Sequence, residues 1–149
     1  MATFTGPRSA VAGDYDFFNP QDPAFDQASE DYDFEKALET RDYDKYLPRK
    51  NGVTPWRFVM RRLNSRERRY LRDVGARHGS NTMAWWSIAL ALRKVISPNG
   101  EEDNVERVEQ TSYVRVCDEW MDAIEDDTDL FLTMGAAVIR KELSDSPRD

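Results

Sequence analysis

Chemistry-bearing residues are scarce in this chain. Of its 149 residues, one is cysteine (Cys117) and one is histidine (His78). A single thiol forms no internal disulfide, which points to a reducing compartment. One Cys and one His cannot supply the clustered ligands of a structural zinc site, so no metal site is expected. A Ser-His-Asp or Cys-His catalytic set would have to use His78, which falls at a predicted helix end before Gly79. A solvated turn residue or helix-dipole partner is the ordinary role there. Cys117, between Val116 and Asp118, reads as a small packed hydrophobe on an amphipathic helix. Walker and dinucleotide glycine loops and the calcium-binding Asp-x-Asp-x-Asp-Gly loop are all missing. The carboxylates at 101–103 and 125–129 read as solvated charge beside helix ends. No catalytic residue, metal or cofactor is indicated, and a non-enzyme is expected. Long apolar runs are lacking too: the longest, 83–92, spans ten residues even counting Ser87. A bilayer span needs about 20, so none is expected. The opening residues show neither the basic start nor the apolar stretch of a secretory signal.

Charge is plentiful and unevenly placed. The whole chain carries a formal net charge of -7. Residues 1–50 hold eleven acids and six bases, 51–100 ten bases and two acids, and 101–149 fifteen acids and five bases. The result is an acidic head, a basic middle and an acidic end. Pro7, Pro20, Pro23, Gly6 and Gly13 interrupt the first 33 residues, and no apolar periodicity survives among them. Residues 1–50 therefore read as an acidic, largely disordered head with a short helix near 34–40. A packed sheet in the head would instead favour a structural role.

Residues 51–146 read as a helical domain, with 147–149 as a tail. Trp56, Phe58 and Met60 fall on one side of a short strand, with Arg57 and Arg61 opposite. Asn64 followed by Glu67 is a capping-box pattern opening a helix over 65–77, which stops at His78-Gly79. The next helix, 83–96, is apolar nearly all round and should be the most buried element. An acidic loop or poor hairpin follows over 101–110. Two further helices are expected over 112–125 and 128–143. The fold class expected is mainly α: about four helices with one short strand or hairpin.

Eight arginines crowd residues 57–77, ahead of a glycine turn and a second helix, the outline of a helix-turn-helix. A recognition helix presents polar side chains to base edges, whereas 83–92 is apolar on every side. Nucleic acid is therefore not the expected partner; the arginines are expected to pair with the protein's own acidic ends or with an acidic partner, since Arg suits carboxylates geometrically. In the head, Tyr15, Phe17 and Phe18 stand among aspartates and could anchor a segment that folds onto a partner. Adjacent Trp85 and Trp86 point about 100° apart on a helix, so one of them could face a groove.

Residues 53–73 read Val-Thr-Pro-Trp-Arg-Phe-Val-Met-Arg-Arg-Leu-Asn-Ser-Arg-Glu-Arg-Arg-Tyr-Leu-Arg-Asp. They resemble small tailed-bacteriophage proteins in which a Pro-Thr-x-Phe-x-Leu-Arg-Pro-Leu strand leads into a Ser/Thr-Arg-Glu-capped helix. Arg62 stands where that pattern more usually has proline. An apolar helix (85–96), a glycine turn with an acidic loop (100–103) and a closing helix ending at Leu143-Ser144 extend the likeness over about 55–146. The set is similar to phage tail assembly chaperones and related virion morphogenesis proteins. The resemblance implies non-enzymatic work in the host cytoplasm: holding the tape-measure protein until tail tube protein polymerises around it. Protein partners are then expected, with no membrane and with oligomerisation left open. The surfaces this points to are Arg61, Arg62, Arg66 and Arg69, with the exposed part of Trp85 and Trp86. A structural component of the neck, tail or capsid, and an acidic host-takeover regulator that binds a host enzyme, are the competing roles.

Overall fold

A computed structural model describes residues 13–40 and 42–144. The elements begin with strand β1 (Tyr15–Phe17), helices α1 (Phe34–Thr40) and α2 (Tyr43–Tyr46), and strand β2 (Arg57–Met60). Helices α3 (Ser65–His78) and α4 (Ser80–Ala91) follow, then strands β3 (Leu92–Ile96), β4 (Glu102–Asn104), β5 (Arg107–Gln110) and β6 (Tyr113–Val116). Helices α5 (Asp118–Asp126) and α6 (Thr128–Ile139) lead into a closing π-helical segment, Arg140–Ser144. Four strands form an antiparallel sheet in the order β1-β2-β3-β4, and β5-β6 is a separate hairpin. The expected mainly-α class with one strand is thereby corrected to a mixed α/β fold.

The helix α3 forms where its cap predicts. Asn64 Oδ1 accepts from the Glu67 amide at 2.9 Å, and the Asn64 amide donates back to Glu67 Oε1 at 3.0 Å. This pairing satisfies two amides that a bare helix start leaves open. At its other end Gly79 adopts φ +93°, a conformation that glycine alone takes readily, and α4 starts at the next residue. The second half of α4, from Trp86 through Ala91, is buried without a break, as its all-round apolarity predicts, while Ser80 and Asn81 at its start are exposed.

The predicted helix over 83–96 is too long by five residues. At Leu92 the backbone turns extended (φ -69°, ψ 123°), and 92–96 become β3. Phe58 pairs with Val95 on one side, and Val95 with Asp103 on the other. β-Branched Val95 and Ile96 suit that pleated setting. The carbonyls at the switch are taken by a distant side chain. Arg107 donates to Leu90 O at 2.9 Å, Leu92 O at 2.7 Å and Val114 O at 2.8 Å. Burial lowers that guanidinium to about 10, with Arg61 and Arg93 adding to the effect and Glu67 opposing it; it remains charged at neutral pH.

The predicted loop over 101–110 and the start of the predicted 112–125 helix are likewise corrected: β4, β5 and β6 occupy that stretch, and α5 begins only at Asp118. Thr111 and Ser112 form the two-residue loop of the β5-β6 hairpin with φ +47° and +74°. Positive φ at both positions is the type I′ arrangement, for which Asn-Gly is the preferred pair. Replacing Thr111→Asn together with Ser112→Gly is expected to stabilise the protein by about 1 kcal/mol. That corresponds to a rise of about 3 °C in Tm, read by thermal circular dichroism; an unchanged or lower Tm would show the turn to be unstrained.

The disordered-head expectation is also corrected over the described residues; its first twelve lie outside them. β1 pairs with β2 in the register Tyr15↔Met60 and Phe17↔Phe58. Phe17 is buried in the main core with Met60, Leu63, Ile88 and Leu92. Phe18, Phe25, Ala37 and Leu47 build a second small core, ringed by Tyr32, Tyr43 and Tyr46. Polar ties complete it: the Tyr43 hydroxyl donates to Asp16 O at 2.8 Å, and the Trp56 amide donates to Asp22 Oδ2 at 3.1 Å. Arg93 is paired with Asp14, and Arg57 with Asp16. The aromatic residues supply the apolar area, while the aspartates between them pair with arginines, bind backbone amides or face solvent.

Candidate protein-binding surface

Helix α3 carries arginine on every side, and packing sorts these into two groups. Arg61, in the connection between β2 and the helix, grips Glu67 with both Nη atoms, at 3.1 and 2.5 Å. Arg62 Nε donates to Glu142 Oε2 at 2.9 Å, and Arg68 lies 3.8 Å from the other Glu142 oxygen while donating to Leu63 O at 2.7 Å. Arg61 and Arg62 therefore hold the fold together and are not offered to a partner as the sequence suggested. Burial raises the Glu142 carboxyl above its usual value, opposed by Arg62, the Leu63 backbone and Arg68. Arg66, Arg69 and Arg72 form the second group. They are exposed, and steps of three residues keep them within an arc of roughly 120°. Arg69 and Arg72 have no ion-pair partner among the described residues.

Beside this face runs a chain of stacked rings. The Arg66 guanidinium lies 4.3 Å from the centre of Tyr113, which stacks on Tyr70 at 4.4 Å. Tyr70 meets Trp86 edge-on at 5.1 Å, Trp86 meets Trp85 at 5.2 Å, and Arg115 covers Trp85 at 5.3 Å. Such cation–π and ring contacts fix side chains that would otherwise lose rotamer freedom on binding. Of the two tryptophans, Trp86 is buried and Trp85 half-buried, so both act chiefly as support. Tyr70 and Trp86 also line a shallow basin of about 470 Å³ with Asp73, Arg77, His78 and Thr111. Burial, Tyr113 and Asp73 together raise the Tyr70 phenol.

The anchors expected in the head are placed elsewhere. Phe17 and Phe18 are buried in the two cores, and Tyr15 is half-buried on the sheet edge near Lys141. None of the three is presented as a projecting anchor. The exposed indole is Trp56, with 46% of its surface accessible. It borders a cleft of about 350 Å³ with Asp22, Pro23, Asp127 and Leu130. Its position just ahead of β2, after Pro55, is the one signal that sets it apart from Phe58 and Met60. Another cleft, of about 550 Å³, mixes Asp16, Asp42 and Asp44 with Arg49 and Arg57.

Two groupings bear on chemistry. His78 is exposed at the end of α3, while Cys117 is buried at the start of α5. The Cys117 thiol and the Glu106 and Glu119 carboxylates have donor atoms within 4.8 Å of one another. They could offer three ligands to a cation, although water competes for both exposed carboxylates. This grouping was not legible in the sequence, because it is the β5-β6 hairpin that folds Glu106 back beside α5.

What fold and surface define together is a mixed α/β protein with a basic, aromatic-backed helix face. Compared with known protein families, with curated proteins and with solved structures, the chain matches none.

Proposed function

We propose that the chain is a non-enzymatic morphogenesis protein of a tailed phage, of the tail assembly chaperone kind. It binds tape-measure or tail tube protein reversibly through the exposed face of α3. The observation that carries this reading is the row Arg66, Arg69 and Arg72, exposed on a rigid capped helix and without internal neutralisation at Arg69 and Arg72. Arginines held ready in this way recognise carboxylates on another protein, with the Tyr113-Tyr70 stack as an apolar floor. The resemblance over 53–73 supplies the assembly context. A second reading, a fixed structural component of neck, tail or capsid, is favoured by the head, whose β1 strand and aromatic core are packed onto the domain.

Affinity capture with tagged protein from infected cells, with mass spectrometry of purified particles, separates the two. The chaperone reading expects a tape-measure or tail tube protein in the capture and no copy of this chain in particles. Changing Arg69→Glu and Arg72→Glu is expected to cut that capture about tenfold, the effect of losing roughly 1.4 kcal/mol of charge pairing. A fixed copy number in particles would establish the structural role. A host enzyme as sole partner would falsify both.

A further inference from the structure

We propose that the protein associates head to tail with a second copy of itself, the arginine face of α3 in one protomer seating against the acidic α5-α6 end of the next. This deepens the reading above and rests on α3 being a protein-binding face.

The two faces are complementary in charge, and each lacks partners of its own. Arg69 and Arg72 project from α3; Asp122, Glu125, Asp126 and Asp129 are exposed around the α5-α6 junction, without an ion-pair partner among the described residues. They cannot neutralise one another within a protomer. α4 packs against both α3 and α6, whereas α3 and α6 scarcely touch, so the charged faces lie on either flank of α4.

The acidic flank also carries what an arginine face seeks. Trp56, the exposed indole, shares its cleft with Asp127 and Leu130 at the start of α6. A carboxylate and an open aromatic face side by side form a good receptor for a guanidinium. Exposed ion pairs contribute little singly, so it is the array of several pairs with the Trp56 ring that gives the contact its strength.

The symmetry follows from the charges. A two-fold dimer would have to bring the arginine face and the acidic face of each protomer into one interface, which their placement on either flank of α4 disfavours. With the two faces apart on the protomer the contact is heterologous, and repeats until it closes a ring or runs on as an open chain.

Light scattering coupled to size exclusion, on the purified full chain at about 50 µM, reads this directly. Species heavier than a monomer are expected at about 0.05 M salt and dissociation at about 0.5 M, where the screening length drops to a few ångström. Arg69→Glu/Arg72→Glu alone and Asp122→Lys/Asp126→Lys alone should each be monomeric. Their mixture should associate again, because one variant's acidic face meets the other's arginines while the two reversed faces also match. Circular dichroism checks that both variants fold; should one not, Arg69→Gln/Arg72→Gln gives the milder disruption and must still lower the mass. A wild-type monomer at both salt concentrations overturns the proposal, as does association that survives in the arginine variant alone. A monomer that shifts only on adding a short DNA duplex overturns it too, placing a polyanion on α3. Capture from infected cells reads foreign partners, so a monomer that still captures an assembly protein removes self-association and leaves the function reading standing.

Discussion

Replacing Gly135→Leu is expected to destabilise the protein by about 3 kcal/mol, a fall of about 9 °C in Tm. Gly135 lies on α6 where that helix crosses α4, and it is buried. A Cβ placed there would stand 2.7 Å from Ala84 Cβ and 3.2 Å from Ala84 Cα. The second atom is backbone, so relief requires the helices to part. Ser87, whose hydroxyl donates to Ala84 O at 2.7 Å and lies 3.5 Å from Gly135 O, sits in the same crossing and would be pulled from its place. For Gly135→Ala, two effects oppose. Helix propensity gains about 1 kcal/mol, and overpacking costs about 1–3 kcal/mol, leaving a net loss of about 1 kcal/mol. Combining it with Ala84→Gly should restore most of the overpacking cost, giving a coupling of about 1 kcal/mol in a double-mutant cycle. Gly75 is the internal control. Its added Cβ would meet Met83 Sδ at 2.6 Å, but a methionine end swings aside. Gly75→Ala should therefore be neutral or stabilising. Chemical denaturation of these variants together with Ala84→Gly alone decides the matter; equal losses at Gly75 and Gly135 would mean that close helix approach is not the cause.

What the sequence made legible was local. The Asn64/Glu67 cap, the glycine stop at Gly79 and the apolar α4 are each written within a few residues of where they act. The failures share one physical origin, which is that the deciding partner is far away in the chain. Residues 92–96 fit a helix or a strand by pattern, and β2, β4 and the Arg107 guanidinium make them a strand. Tyr-Val-Arg-Val at 113–116 alternates as a strand does, yet it abuts a true helix and by local pattern reads as the start of it. In the head, aspartates and prolines read as disorder, yet seven aromatic residues among them serve a sheet edge and a second core. The site divides similarly. Arg66 and Arg69 were legible because exposed residues need no partner, whereas Arg62 is claimed by Glu142, eighty residues on. Alternation places Trp56 on the inward side of a strand that in fact begins one residue later, which leaves the indole exposed.

Removing that distant carboxylate should be nearly as damaging as overfilling the helix crossing. Glu142 is 0% exposed, and its partners Arg62 and Arg68 are only 25% and 11% exposed at their side chains. Glu142→Ala leaves two arginines crowded together without their anion and unclips the π-helical end from the β2-α3 connection. Deleting one partner of such a set costs about 3 kcal/mol, or about 9 °C in Tm. Glu142→Gln keeps an acceptor for Arg62 Nε without a buried charge and should lose about 1 kcal/mol. The pair of variants also gives a pH signature. Burial raises the Glu142 carboxyl in the folded state above its unfolded value. The folded protein then holds that proton more tightly than the unfolded chain does. Its contribution is full below the unfolded value, about 4.3, and is lost as pH rises through the raised folded value. Other carboxylates titrate alike in both proteins, so the wild-type minus Gln difference isolates this group. That difference should grow in favour of wild type as pH falls from 8 to 5, measured by urea denaturation. A difference that shrinks on acidification would show that Arg62 and Arg68 hold the carboxylate charged against its burial, and that attraction within the cluster outweighs desolvation.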